Sequence, residues 1–153
     1  MKSKIYEFDP VIYPFKLLVS KDFDAKELGG MYYCIDDEEN LIDSPEEFIP
    51  KKRTIARTIQ CAPKDGSETF YLVLLYHPKV IGTGTLAHES LHIANFVGEW
   101  LGFLPKKADE DEPQAYLVQW ISNCIDMVMK GHPEKMKGVL LNGNDTDTAE
   151  SVQ

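Results

Sequence analysis

The sequence predicts a single α+β domain, with a small sheet from Val11 to Tyr76 packed on two principal helices. Three observations carry this expectation. Strand-forming runs separated by turn residues fill the first half of the chain. Two windows of helical apolar spacing, one from a cap at Thr83 or Thr85 to Trp100 or Leu101 and one from about Asp111 to Lys130, fill the second. At 153 residues, 43% hydrophobic and 27% charged, the composition fits one domain with a real core. That domain is expected over 1–141. The Asn, Gly, Asp, Thr and Ser of 142–153 read as a disordered tail.

Each element has a local reason. Val11 to Ser20 is rich in strand formers, and Pro14 places it at a sheet edge or kinks it. Asp22 to Leu28 reads as a short helix stopped by Gly29-Gly30, with Met31 to Ile35 a short strand after it. Asp36 to Asn40 is an acidic turn. Ser44-Pro45-Glu46-Glu47 joins a capping serine, a proline at the first helical position and early carboxylates, which favours one helical turn. Lys51-Lys52-Arg53, a solvated run, leads into the β-branched stretch Thr54 to Cys61. Pro63 to Ser67 is turn chemistry and Phe70 to Tyr76 is apolar throughout. A hairpin follows, its second strand buried on both faces.

Either threonine of Gly82-Thr83-Gly84-Thr85 is expected to cap the first long helix, which runs to Trp100 or Leu101 and ends at Gly102. Leu86, Ala87, Leu91, Ala94, Phe96, Val97, Trp100 and Leu101 are spaced to bury a wide stripe. The second helix spans Asp111 to Lys130, with Leu117, Trp120, Ile121, Cys124, Ile125 and Val128 on its core face, Pro113 in its first turn and Gly131 after it.

A formal charge of −9 argues against a phosphate backbone as partner, since such binding needs a basic surface. Cys34, Cys61 and Cys124 are odd in number and far apart, which fits a reducing cytoplasm better than a disulfide framework. Neither a leader peptide nor a membrane span is expected from the apolar run lengths.

His88-Glu89-Ser90-Leu91-His92 places two of the four histidines four residues apart, with a glutamate directly after the first. On a helix they are offset by roughly 40° and about 6 Å, so both imidazoles lean over one face and can bind one ion. Glu89, turned about 100° from His88, is placed to act as a base beside the ion. A catalytic zinc takes three protein ligands and a water, so another ligand is required. Glu112 is preferred within Asp109-Glu110-Asp111-Glu112 because it lies most securely in the second helix. Glu110 and Asp111 compete with it, and Glu99, about 10 Å along the helix from His92, is a weaker alternative. From Glu112, the residues Tyr116, Gln119 and Asn123 continue a polar stripe expected to face the cleft. Tyr116 and His132 are the residues considered for steadying an oxyanion.

The arrangement His88-Glu89-x-x-His92 followed by Glu112 resembles the gluzincin type of zincin metallopeptidase. The wider pattern is similar to small zincin-like proteins of phages and mobile elements: Val11 to Val19 with its Ile-Tyr-Pro, a hairpin, Leu86-Ala87-His88-Glu89, and Glu112-x-x-Ala115-Tyr116-Leu117-Val118. The resemblance spans Val11 to about Ile125, and only the metal motif in it is specific. It implies a zincin-like fold, one Zn2+ held by His88, His92 and Glu112, and Glu89 as general base. It also implies an extended substrate paired with Phe70 to Tyr76 or its neighbouring strand. The chain departs from the thermolysin-like pattern four residues after Glu112, where an aspartate often supports a ligand histidine and Tyr116 stands instead.

Two functions are therefore expected. The first is a zinc-dependent metallopeptidase acting on a peptide or protein substrate, with Glu89 taking a proton from metal-activated water and passing it to the leaving amine. The second is a non-catalytic metal-binding or peptide-binding regulatory module on the same scaffold, favoured by the small size of the chain. Substrate specificity and oligomeric state are not encoded in any motif here.

Overall fold

The computed structural model describes residues 3–66 and 68–133, so the expected tail at 142–153 lies outside the described residues. The strands are β1 (Lys4–Phe8), β2 (Lys16–Asp22), β3 (Tyr32–Ile35), β4 (Leu41–Ile42), β5 (Ala56–Pro63) and β6 (Phe70–Leu75). The helices are α1 (Ala25–Met31), α2 (Thr83–Leu101) and α3 (Glu112–Lys130), with short 3-10 turns at Pro45–Phe48, Pro78–Val80 and Ala108–Glu110. The architecture is α+β: one mixed sheet of six strands, ordered β1-β2-β6-β5-β3-β4. All neighbours are antiparallel except β2 and β6, which run parallel with Lys16 opposite Phe70 and Ser20 opposite Leu74.

β6 lies at the centre, and its continuous apolar sequence is explained by burial on both faces. Tyr71, Val73 and Leu75 face the core under α2 and α3, together with Leu17, Val19, Ile93, Val97, Trp120 and Ile121. Phe70, Leu72 and Leu74 face the opposite core with Leu28, Phe48 and Ile59. The period of two along β6 thus feeds two separate layers.

Several boundaries differ from expectation for physical reasons. The first expected strand starts at Lys16 rather than Val11, because the preceding residues form a bend in which Val11 has φ 67° and Asp9 Oδ1 accepts its N–H at 2.8 Å. β1, in the polar N-terminal stretch, and the two-residue β4 were not anticipated. Gly29-Gly30 does not stop α1 but lies within it. Gly29 serves close packing: a Cβ there would lie 2.7 Å from Pro45 Cα. The helical turn after Ser44 forms as expected, with Ser44 Oγ accepting from the Glu46 N–H at 3.3 Å.

The two long helices end where expected, on Gly102 (φ 77°) and Gly131 (φ 82°), conformations that a Cβ would strain. All six residues proposed for the α3 core face are buried. α2 differs. Its start is capped by neither threonine side chain, and Leu91, Phe96, Trp100 and Leu101 are exposed by 49, 42, 52 and 36%. Ala94 and Val97 are buried as expected, and Glu89, Ser90, Ile93 and Gly98 are buried with them. The reason is polar pairing across the layers. Ser90 Oγ donates to the Leu86 carbonyl at 2.7 Å and Ser122 Oγ donates to Ser90 Oγ at 2.9 Å, so a serine occupies the α2–α3 interface without losing its hydrogen bonds. Among the described residues, no helix is long and apolar enough to cross a membrane.

Candidate metal centre

His88 and His92 project from the exposed face of α2, with their Nε2 atoms 3.1 Å apart and ring centroids 4.6 Å apart at 80°. The helical spacing places them side by side, and the exposed face leaves room for an ion. A tetrahedral zinc with nitrogens at about 2.0–2.1 Å holds them about 3.3 Å apart. The pair therefore fits as two ligands after movements of a few tenths of an ångström. The His92 ring also stacks at 18° and 6.3 Å on Phe96, whose ring lies parallel to the buried Tyr71 at 6.2 Å. This stack anchors one imidazole to the sheet.

Glu89 lies around the helix from the pair, on the side that meets β5. It is 7% exposed, and Thr58 Oγ1 donates to its Oε2 at 2.7 Å. Thr58 sits on β5 with its side chain on the helix-facing side, as does Ala56, which packs on the same core. Thr58 is the residue of this candidate site that sequence reasoning missed. A threonine in a β-branched strand carries no signal until the register of β5 against β6, Thr58 opposite Val73, turns it towards α2.

The third ligand is a different matter. Among the described residues, no group of three or more His, Cys, Asp or Glu side chains is gathered to hold an ion. Asp109 and Glu110 lie in a 3-10 turn, Asp111 precedes α3, Glu112 begins it, and all four are exposed, as is Glu99. Helix packing accounts for the position of Glu112. α2 and α3 run antiparallel, with Ser122 against Ser90 and Gln114 Nε2 donating to Asn95 Oδ1. These contacts set Val118 and Gln119 level with His92, so Glu112 lies about 10 Å farther along the axis. Glu112 is also turned about 160° around α3 from Gln114, so the stripe through Tyr116, Gln119 and Asn123 looks away from α2 rather than into a cleft. The His pair thus fits zinc, and the expected third ligand is not assembled beside it. Tyr116 is partly buried on α3 and His132 is exposed beyond its end, where the His132 N–H bonds the Met127 carbonyl at 2.8 Å.

β6 cannot pair with a substrate, since β2 and β5 occupy both of its edges. Its neighbour β5 can. β3 pairs with β5 only at Cys61 to Pro63, and no described strand covers the edge of Ala56 to Gln60 on that side. The Tyr76 N–H to Ile55 carbonyl bond of 2.9 Å fixes the alternation, so Ala56 and Thr58 direct their backbone groups to the open edge. A shallow groove of about 450 Å³, lined by Arg53, Thr54, Ala56, Gly84, Thr85 and His88, joins the start of this strand to the first histidine.

Comparison with protein-family models, with curated proteins and with solved structures finds no match.

Proposed function

We propose that the chain is a zinc-dependent hydrolase of peptide bonds, with His88 and His92 anchoring the ion and Glu89 as general base. The observation that carries this reading is the 3.1 Å approach of the two Nε2 atoms on an exposed helical face, with the Glu89 carboxylate held by Thr58 on the neighbouring, β5-facing side of the same helix. When bound, zinc would supply a water of pKa near 7 and polarise the scissile carbonyl. Thr58 engages Oε2 of Glu89 and orients the carboxylate for proton transfer. The open edge of β5 takes an extended peptide by strand addition, in the role expected for β6 or its neighbouring strand. Glu112 is assigned the remaining protein position, which requires the start of α3 to shift from its present place beyond His92.

That no third ligand is gathered beside the pair among the described residues favours a second reading, a non-catalytic metal-binding module on the same zincin-like scaffold. Zinc titration by calorimetry separates these possibilities. Wild type should bind one equivalent, His88→Ala and His92→Ala should each weaken binding at least a hundredfold, and Glu112→Ala about tenfold. Full-affinity zinc in both histidine variants would sink the site. Glu89→Gln should keep zinc and lose cleavage of a peptide library. Zinc-bound wild type that cuts no more than Glu89→Gln would favour the second reading.

A further inference from the structure

Phe96 and Trp100 continue the row begun by His88 and His92, each four residues after the last, so one ridge of rings runs along the exposed face of α2. Their exposures of 42 and 52% leave the ridge open to an incoming chain. It ends at a cavity of about 490 Å³ whose walls include Asp9, Tyr13, Phe15, Lys16, Glu68 and Trp100. The cavity is built on fixed parts. Tyr13 packs at a tilt of 34° on Phe103 at 5.5 Å, Phe15 packs edge-on to Tyr71 at 5.5 Å, and Lys16 Nζ binds Asp9 Oδ2 at 2.6 Å. The Lys16 hydrogen bond, then the Val11 N–H, hold the Asp9 carboxyl below its ordinary range, so it stays ionised. Lys16 offsets one carboxylate, and Glu68 gives the cavity a net negative charge.

We propose that this cavity binds a lysine or arginine side chain of the peptide substrate, roughly four residues from the bond cut at the histidine pair; this inference rests on the peptidase reading for its register. A lining of aromatic rings and carboxylates suits a side chain with an apolar stem and a cationic head. The chain's formal charge of −9 draws such peptides in. Trp100 lies eight residues beyond His92, about 12 Å along the axis, which an extended peptide covers in about four residues.

The test is calorimetric binding of ten-residue peptides to zinc-loaded Glu89→Gln protein, with lysine or norleucine walked through every position around a central Ala-Phe pair. Lysine about four residues from that pair should bind about five- to tenfold tighter than norleucine, and Glu68→Gln should erase most of the difference without changing norleucine binding. Trp100→Ala should abolish the dependence on position. Equal affinity for lysine and norleucine everywhere, or no binding of either, would overturn the cavity's assignment. The same peptides offered to wild type distinguish the two proposals. Lysine-selective binding without cleavage removes the peptidase and keeps the cavity, whereas cleavage indifferent to lysine does the reverse.

Discussion

Replacing Thr58 with valine deletes one hydroxyl and keeps the shape of the side chain, so it isolates the bond from Thr58 Oγ1 to Glu89 Oε2. That bond is 2.7 Å long, and Glu89 is 7% exposed. Little water can replace the lost donor. Hydrogen bonds to charged groups contribute about 1.5–3 kcal/mol, and a loss of about 2 kcal/mol is expected here. This is a large share of a typical stability of about 5–15 kcal/mol. With a urea m-value of about 2 kcal/mol/M, the unfolding midpoint should fall by about 1 M. A double-mutant cycle with Glu89→Gln should return a coupling of at least about 1 kcal/mol. Zinc affinity should stay within about threefold of wild type, because Thr58 bonds Glu89 and neither histidine. A midpoint shift below about 0.25 M, or additive single effects, would refute the claim that Thr58 holds Glu89 in place.

Other outcomes follow from packing and burial. Gly29→Ala should cost about 1–3 kcal/mol in a urea melt, because its Cβ meets the Pro45 backbone at 2.7 Å. Gly30→Ala, with nothing within 4 Å, should be neutral or stabilise by up to about 1 kcal/mol. Cys34, Cys61 and Cys124 are all buried, and burial pushes the Cys34 thiol up to about 11 and the Cys61 thiol higher still. A disulfide reagent at pH 8 should therefore titrate no thiol quickly in native protein and three in denaturant; fast labelling of Cys34 in the native state would contradict its burial. Burial also pushes the Tyr32 and Tyr71 phenols up to about 12 from 10.0, and Cys34 rises from 9.0. Above pH 9 the unfolded chain releases these protons first and so binds fewer than the native state, and stability must fall as pH rises. Urea midpoints at pH 8, 9 and 10 should decline in that order, and a flat or rising series would contradict the burial of these groups.

Much of the fold was legible because it rests on local chemistry. The hairpin of β5 and β6, the ends of α2 and α3 at glycines, and the α3 core face follow from periodicity, turn residues and positive φ, all properties of short windows. The adjacency of His88 and His92 is equally local, since helical spacing alone brings the rings together. Other features depend on residues distant in sequence. Apolar spacing put Phe96 and Trp100 in the core, yet the packing of α2 left them outside and buried Ser90 and Glu89, whose partners Ser122 and Thr58 come from α3 and β5. Burial of polar groups depends on partners that no window around the motif contains.

What the sequence by itself determined is a helix with two imidazoles on one face and a carboxylate beside them. Tertiary structure alone decided which group fixes that carboxylate and where Glu112 stands. The first depends on strand register, and the second on the antiparallel packing that carries the start of α3 beyond His92 to the far end of α2. Both are relations between elements far apart in the chain, settled only when the whole core is packed.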